Sequence, residues 1–231
     1  MLAVKDLSFA YGEVQILRNV TLDVPQNQIV CVMGRNGVGK TTLMNNIMGL
    51  SRPFEGTISI NGQEIVSVPA HKRARLGLGY VPQGRMIFPK LTVIENLRVG
   101  LSARSDGQKR IPDEVYNLFP ILKEMAWRRG GDLSGGQQQQ LAIGRALVGD
   151  PKILILDEPT EGIQPNIIQE IGRVLKMLVE ERGMTVVMVE QYFEFVKEFG
   201  HYFYLMNRGQ IVEQGNCDEL TDELASKHLS V

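Results

Sequence analysis

The 231-residue sequence has little cysteine, little histidine and almost no net charge. Two cysteines are too few for a disulfide scaffold, and Cys31 lies in an apolar run that favours an inert core thiol over a redox role. The scattered His71, His201 and His228 give no metal-ligand spacing. A formal net charge of −1 supplies no basic field for nucleic acid. These absences argue against a disulfide-rich, His/Cys-metal or nucleic-acid-binding protein.

Long apolar segments are also missing. No run approaches the roughly 18 residues that a membrane-spanning helix needs. The start, Met1–Asp6, lacks the apolar core of a signal peptide, so we expect a cytoplasmic protein. A composition of 43% hydrophobic and 22% charged residues is ordinary for a globular chain, and the length suits one compound domain.

Three short apolar runs predict the core of the fold. Ile29–Met33, Ile153–Leu156 and Thr185–Val189 have the length and the β-branched content of buried parallel strands. One helix is predicted at Lys40–Met48 and another from Pro165, ending at a glycine. The core-facing stripe of the second helix is predicted to be Ile167, Ile171, Val174, Leu175 and Leu178. An α/β core with ligands at the carboxyl ends of its strands is therefore expected.

The regions around this core have different patterns. Leu2–Asp23 and Gly56–Ile65 alternate in short strands with turn signals, which predicts an antiparallel sheet beside the core. Residues 89–148 have no strand pattern and contain a polar surface loop at Arg104–Arg110. Three of the four glutamines at Gln137–Gln140 are expected to lie on a polar helix surface.

The segment after the first predicted strand fits the phosphate-loop pattern G-x-x-x-x-G-K-[ST]. Its glycines let the backbone N–H groups converge on phosphate, and the following helix presents its positive end. Lys40 would pair with the β- and γ-phosphates, and Thr41 would bind Mg²⁺. The candidate ATP-binding residues here are Gly34, Arg35, Asn36, Gly37, Val38, Gly39, Lys40, Thr41 and Thr42.

Two acids follow the second predicted strand. Asp157 is expected to hold Mg²⁺, usually through water, and Glu158 to act as general base on the water that attacks the γ-phosphate. Adjacent acids at a strand end are often only solvated turn residues. The preceding phosphate loop favours the catalytic interpretation.

Almost a hundred residues after the phosphate loop comes Leu133-Ser134-Gly135-Gly136-Gln137. It offers a hydroxyl donor, accessible glycine backbone and a helix that begins at about Gln137. A plain Ser-Gly-Gly surface turn is the alternative. In this order the motifs resemble those of ATP-binding cassette (ABC) ATPases. The resemblance implies one P-loop NTPase domain over residues 1–231, with a RecA-like parallel core, an N-terminal antiparallel β-subdomain and an inserted helical subdomain. The core lobe is expected at about 1–88 and 149–231, and the helical lobe at about 89–148.

The resemblance also assigns roles to single residues. Tyr11 matches the aromatic that stacks on adenine, although a tyrosine before glycine is more often turn packing. Gln83 matches the glutamine that joins Mg²⁺ and relays the nucleotide state. Gln191 stands at the position of a catalytic hydrogen-bond donor to the γ-phosphate. Ser134, Gly135, Gly136 and Gln137 match the signature motif that faces the ATP of the opposite protomer.

Two positions depart from the usual ABC pattern. Most members have histidine where this chain has Gln191, and aspartate where it has Gln164, which puts the usual cross-dimer contact at Gln164 in doubt. Both departures are shared by importer ATPases for branched-chain amino acids and their relatives. Stretches such as Gly130–Gln140 and Glu161–Pro165 resemble the urea-importer ATPase most. A urea importer is therefore expected, with branched-chain amino acids or short amides as alternatives.

The resemblance implies a set of partners as well. Two ATP molecules would close a homodimer, or a heterodimer with a sister ABC ATPase, at the cytoplasmic face of the inner (plasma) membrane. Integral-membrane permease subunits would bind it directly and an external solute-binding protein indirectly; nucleic acid is not an expected partner. The candidate permease dock, which could equally be helical-lobe core, is Met86, Ile87, Phe88, Pro89 and Leu91. A non-transport ABC ATPase usually fuses two cassettes or inserts a coiled coil, and a kinase or GTPase leaves Ser134–Gln137 unexplained.

Overall fold

The computed structural model describes residues 1–221 and 223–224, so His228 lies outside the described residues. The strands are β1 (Leu2–Tyr11), β2 (Val14–Val24), β3 (Ile29–Met33), β4 (Glu55–Ile60), β5 (Gln63–Glu64), β6 (Leu78–Val81), β7 (Ile153–Asp157), β8 (Thr185–Glu190), β9 (Tyr202–Asn207) and β10 (Gln210–Asn216). The helices are α1 (Lys40–Met48), α2 (Ala70–Arg75), α3 (Val93–Gly100), α4 (Asp113–Leu118), α5 (Pro120–Glu124), α6 (Gly135–Val148), α7 (Pro165–Arg182) and α8 (Phe193–Phe199). Within the described ranges, no helix combines the length and apolar character of a membrane span.

The main sheet has six strands in the order β10-β9-β3-β8-β7-β6. Strands β9 to β6 run parallel, and β10 pairs antiparallel with β9 at the edge. The three predicted core strands are confirmed, with β7 and β8 each one residue longer than predicted, at Asp157 and Glu190. All residues of β3, β7 and β8 are buried, as expected for strands covered on both faces.

The second sheet is antiparallel, in the order β2-β1-β4-β5. The prediction of an N-terminal antiparallel sheet is confirmed, but its strands are not short, since β1 and β2 have 10 and 11 residues. Register shifts interrupt their pairing, and Asp6 and Asn19 take positive φ values of 50° and 49° nearby. Such bulges break the alternation of buried and exposed side chains, so each long strand looks like two short ones in the sequence.

Two hydrophobic clusters cover the two faces of the main sheet. Along β3, Ile29, Cys31 and Met33 belong to the cluster that also contains side chains of α6, α7 and α8. Val30 and Val32 belong to the other cluster, together with α1 and the antiparallel sheet. The prediction that Cys31 is a buried free thiol is confirmed. The sheet is thus the middle layer of three, with its carboxyl ends open for chemistry.

Helix α7 follows its prediction with one correction. It begins at Pro165 and ends before Gly183, which has a φ of 63°. Ile167 is only half-buried, and Ile168 takes the place predicted for it in the buried stripe. Ile168, three residues before Ile171, continues the i, i+3 row onto the sheet, whereas Ile167 faces Gly136 of α6.

Helices α3 to α6 occupy the chain between β6 and β7. The loop Arg104–Arg110 is mostly exposed, as predicted. The expected polar surface for the glutamine run is wrong, since Gln139 and Gln140 are 3% and 2% exposed. Because α6 packs against α3, α5 and β6, its middle turns are enclosed whatever their polarity.

A buried arginine closes the far end of α1. Arg73 is 1% exposed, and its guanidinium donates to four backbone carbonyls at 2.7–2.9 Å. The acceptors are Asn46, Ile47, Val66 and Val68. Burial lowers the pKa of Arg73. A Cβ at Gly49, which ends α1 with a φ of 75°, would lie 2.7 Å from the Arg73 Nε. The guanidinium therefore adds to the Gly49 cap of α1 and places a positive charge at the negative end of the helix.

Candidate functional site

The loop Gly34–Thr41 leaves the carboxyl end of β3 and leads directly into α1, as predicted. Gly34 has a φ of 149°, and a Cβ there would lie 2.4 Å from the carbonyl oxygen of Met206, so no other residue fits. Arg35, Asn36 and Gly37 are exposed at the tip. A glycine-rich turn before a helix N-terminus is a ready site for phosphate.

Lys40 is the first residue of α1 and is 4% exposed. Its ammonium donates to the carbonyl oxygens of Gly34 at 2.7 Å and Arg35 at 2.9 Å. It also lies 3.6 Å from Oε1 of Glu158. Burial lowers the pKa of Lys40, and the Glu158 carboxylate opposes that shift. A buried cation thus lies at the base of the loop, in contact with the predicted catalytic acid.

Asp157 ends β7 and is 1% exposed. Neither of its carboxylate oxygens has a hydrogen bond of good geometry among the described residues, although the Thr41 hydroxyl is close. Burial raises the pKa of Asp157 to about 6, opposed by Thr41 and reinforced by Glu158. Two orphaned, buried oxygens beside a hydroxyl are a donor set that suits Mg²⁺. In the described part of the chain, no group of three or more His, Cys, Asp or Glu side chains is placed to hold a metal ion by itself. The remaining ligands would have to be neutral groups, water or phosphate.

Glu158 is where three other loops meet. Its backbone φ is 51°, a left-handed conformation that costs a non-glycine residue roughly 1–3 kcal/mol. Its N–H donates to the Val189 carbonyl at 3.0 Å. Its two carboxylate oxygens accept from the side-chain amides of Gln83, at 2.9 Å, and Gln191, at 2.6 Å. The tertiary structure therefore holds this carboxylate in one orientation.

Gln83 and Gln191 each bridge two acceptors. Gln83 follows β6 and also donates to Glu161 at 3.2 Å. Gln191 follows β8 and also donates to the Asn36 side chain at 2.7 Å. The contacts of both glutamines with Glu158 were not part of the resemblance, which assigned Gln83 to Mg²⁺ and Gln191 to the γ-phosphate, and those two roles stay predictions. The contact between Gln191 and Asn36 was not foreseen.

Ser134–Gln137 forms the N-terminus of α6 and takes no part in these hydrogen bonds. The helix begins at Gly135, two residues earlier than predicted, because Ser134 is its N-cap. The Gln137 N–H donates to the Ser134 hydroxyl at 3.4 Å, and the Ser134 N–H donates to the Gln137 side chain at 2.9 Å. This reciprocal pair is a capping box. Among the hydrogen bonds of the described residues, none joins this segment to Gly34–Thr41.

The remaining predicted residues lie at the edges of the site. Tyr11 ends β1, is 53% exposed, and meets Phe9 edge-on with centroids 4.7 Å apart. Thr42 is half-buried in the first turn of α1. Gln164 is the exposed N-cap of α7, and its side chain makes no capping hydrogen bond. None of these contacts assigns a ligand to them.

Sequence reasoning missed Glu190, the last residue of β8. It is 2% exposed, and its carboxylate accepts N–H groups from Thr160, Gln191 and Tyr192. The available signal was an acid at the end of a buried strand, the same signal that identified Asp157. It was overlooked because Gln191, the next residue, carried the resemblance.

Comparison with known proteins places these motifs in a family. A protein-family model described as ABC transporter matches residues 17–161. A high-affinity branched-chain amino acid transport ATP-binding protein of Pseudomonas aeruginosa is 41% identical, over 92% of this chain and 91% of its own length. A probable branched-chain amino acid transport ATP-binding protein of Archaeoglobus fulgidus is 37% identical, over 96% and 94%.

Solved structures agree in fold and length. The dimeric structure of a bacterial ABC transporter cassette is 28% identical with a TM-score of 0.83, covering 94% of this chain and 99% of that chain. An ATP-binding cassette of another ABC transporter is 27% identical with a TM-score of 0.85, covering 98% and 95%. The predicted cassette fold is confirmed by these likenesses.

Proposed function

Because the chain belongs to the ABC transporter family, we propose that it is the ATP-hydrolysing subunit of an importer. The carrying observation is that the loops after β3, β6, β7 and β8 join their side chains around Glu158 at one end of the sheet. That end is where an α/β sheet binds its ligand. Two identical chains, or this chain and a sister ATPase, would close around two ATP molecules.

Within one chain, the position of each residue supports the task that we propose for it. Lys40 offers a buried ammonium at the base of the phosphate loop, where it would pair with the β- and γ-phosphates. Glu158 would accept a proton from the attacking water. Gln83 and Gln191 orient its two oxygens, and Gln191 can also donate to the γ-phosphate. Tyr11, exposed at the end of β1, offers a flat ring for adenine.

The donor set described above fits Mg²⁺, with Asp157, Thr41 and Gln83 as the residues that would hold it. When bound, the ion would neutralise charge that develops on the phosphate oxygens. Asp157, whose burial disfavours its charged form, would then gain a second positive charge besides Lys40, close to oxygens that have no hydrogen-bond partner among the described residues.

The second half of the site would come from the other protomer of the dimer. Ser134, with Gly135, Gly136 and Gln137, exposes a hydroxyl and a helix N-terminus that suit a γ-phosphate. Support comes from one related cassette that was solved both as a dimer and as a dimeric post-hydrolysis state bound to ADP and phosphate. Donors that bind ATP better than ADP would favour the closed dimer before hydrolysis and release it afterwards.

A permease would dock beside Gln83. Met86 and Phe88 are 67% and 45% exposed, and Pro89 is also exposed. A cavity of about 610 Å³ opens next to them, between Gln83 and Leu50. Ile87 and Leu91 are half-buried and are better described as part of the helical packing. This surface would hold the protein at the cytoplasmic face of the inner membrane.

For the solute, we propose urea, because the sequences of Gly130–Gln140 and Glu161–Pro165 resemble the urea-importer ATPase. The second candidate is a branched-chain amino acid, and it is favoured by the names of the relatives that are 41% and 37% identical. Short amides remain a third choice. The solute would be selected by the permease and an external binding protein rather than by this chain.

The test is uptake of labelled urea and labelled leucine, side by side, in cells that carry Lys40→Ala. Loss of urea uptake with leucine uptake intact supports the urea importer. The reverse result assigns the chain to the amino-acid branch. If neither uptake changes, both solute proposals are wrong, and ATP hydrolysis by the purified protein then decides whether the ATPase itself is active.

A further inference from the structure

Glu190 is a buried carboxylate that the mechanism above does not use. Its Oε1 accepts the Thr160 N–H at 3.0 Å, and its Oε2 accepts the N–H groups of Gln191 at 3.0 Å and Tyr192 at 3.3 Å. One side chain therefore joins two loops, the one after β7 and the one after β8. These three donors are backbone N–H groups, and the Thr160 side chain adds a hydrogen bond to the same carboxylate.

The charge of this carboxylate matters to the link. Burial raises the pKa of Glu190, and hydrogen bonds from Thr160 and from the backbone of Tyr192 and Gln191 oppose that shift. A carboxylate can accept at both oxygens at once, whereas an amide has one acceptor and one donor end. A glutamine here would point an NH₂ group at an N–H whichever way it was turned. One of the two loops would then lose its contact.

Both loops carry residues of the proposed reaction. Gln191 donates to Glu158, and the Glu158 N–H donates back to Val189 beside Glu190. The loop anchored at Thr160 continues to Glu161, whose carboxylate accepts from Gln83 and whose carbonyl accepts from Arg85. Displacing the Gln191 backbone would therefore move the amide that orients the catalytic carboxylate.

We propose that Glu190 is a positioning residue for ATP hydrolysis, which uses Thr160 as an anchor to hold Gln191 against Glu158. This positioning role rests on the functions proposed above for Glu158 and Gln191. A displacement of about 1 Å in a catalytic group can cost on the order of 100-fold in rate. Glu190→Gln should therefore lower turnover roughly 10- to 100-fold, while the KM for ATP, which depends on the phosphate loop, changes less than about threefold.

The experiment is a double-mutant cycle on the full chain with steady-state ATP hydrolysis. Glu190→Gln is measured alone and in a Gln191→Ala background. If Glu190 acts through Gln191, its substitution costs less than about threefold once Gln191 is gone. Additive losses, or a rise in KM without a fall in kcat, would overturn the proposal. Glu194→Gln, an exposed acid on α8, is the matched control and should retain wild-type activity.

Two further variants keep the outcome decisive. If Glu190→Gln does not fold, the same cycle is run with Glu190→Asp. That side chain keeps the charge but is one methylene shorter, so it should not reach both loops, and its cost should also vanish without Gln191. Glu158→Gln is assayed in parallel. If it keeps most activity, the general-base role fails and the positioning role with it. If it is inactive and the cycle is additive, only the positioning role fails.

Discussion

The phosphate-loop end of the sheet and the N-terminus of α6 satisfy their polar groups in different ways. Around Glu158, side chains from four loops bond to one another across 155 residues of sequence, as in the contact of Gln191 with Asn36. At α6, Ser134 and Gln137 bond to each other within three residues. The first arrangement needs the whole sheet to be in place, and the second needs one helix turn.

The two regions also differ in cost. The sheet end buries Lys40 and Asp157, leaves both Asp157 oxygens unpaired and keeps Glu158 at a positive φ. Buried charges and left-handed backbone reduce stability and persist where the surrounding fold enforces them. The α6 N-terminus carries an exposed serine and a satisfied cap. The comparison indicates that the sheet half of the site is held in a strained conformation by the tertiary structure. The α6 half is held by hydrogen bonds within one helix turn.

The largest effect should come from the strained half. Glu158→Gln removes the base but keeps the shape, so hydrolysis should fall about 10²- to 10⁴-fold. Phosphate release measures the loss, and size-exclusion chromatography with ATP should still show a dimer. Glu124→Gln, an exposed acid on α5, serves as the control. If Glu158→Gln hydrolysed ATP at a rate similar to wild type, the contrast between the loops around Glu158 and the N-terminus of α6 would have no catalytic meaning.

Ser134, at the N-terminus of α6, should contribute to hydrolysis only of the ATP that the other protomer of the dimer binds. Ser134→Ala removes one preorganised donor and should lower turnover about 10²- to 10³-fold. Mixing Ser134→Ala with Glu158→Gln gives dimers in which one site carries both changes and the other neither. The mixture should hydrolyse ATP at least about tenfold faster than either variant alone. A rate equal to the average of the two parents would mean that both halves act within one chain.

The burial of Asp157 should be measurable in the free energy of unfolding. The folded pKa of Asp157 is about 6 against an ordinary 3.8, so the folded state keeps a proton that the unfolded chain has lost. This group therefore weakens folding as pH rises from about 4 to about 6. Without nucleotide or magnesium, Asp157→Asn should be more stable than wild type at pH 7 by on the order of 2–3 kcal/mol.

Guanidinium unfolding at pH 4 and pH 7 checks this difference. It should be much smaller at pH 4, where the folded carboxyl holds its proton and the unfolded carboxyl, close to its ordinary pKa of 3.8, still holds much of its own. A gap between Asp157→Asn and wild type that is the same at both pH values would contradict the assignment to Asp157.

The smallest expected effect is on the pH dependence of the rate, and it concerns the side-chain amide of Gln191. Gln191 cannot titrate, so the rate between pH 6 and 8 should contain no step from this position. Gln191→His should introduce one, within about a unit of the ordinary histidine pKa of 6.5. Gln191→Asn, which stays neutral, controls for size. An unchanged pH profile in Gln191→His would count against a role for this position beside Glu158.

The sequence predicted those strands whose side chains form a recognisable pattern within a few consecutive residues. β3, β7 and β8 are buried on both faces and therefore appear as uninterrupted apolar runs. β6 has only four residues, one of them glycine, and β10 lies exposed at the sheet edge, so neither has such a pattern. β9 was missed as well. Its Tyr-Phe-Tyr-Leu-Met run is apolar enough, but no motif follows it.

The site divides along the same line. The phosphate loop, Asp157 and Glu158 are contiguous motifs and could be located from the chain alone. Glu190 gives the chain signal of an acid at a strand end, but its link to the loop after β7 depends on an N–H 30 residues away, at Thr160, and cannot be located from the chain alone. The roles proposed for the site residues remain predictions, while their placement around Glu158 follows from the fold.

Arg73 and Gly49 illustrate how far the constraint on α1 extends from the chemistry. The guanidinium fills the volume that any side chain at position 49 would need. In a library that varies both positions, a residue larger than glycine at position 49 should be recovered only together with a replacement of Arg73, and mainly as asparagine, because the φ of 75° disfavours other side chains. A designer who wants to alter the helix behind the phosphate loop must therefore rewrite two sites 24 residues apart in a single step.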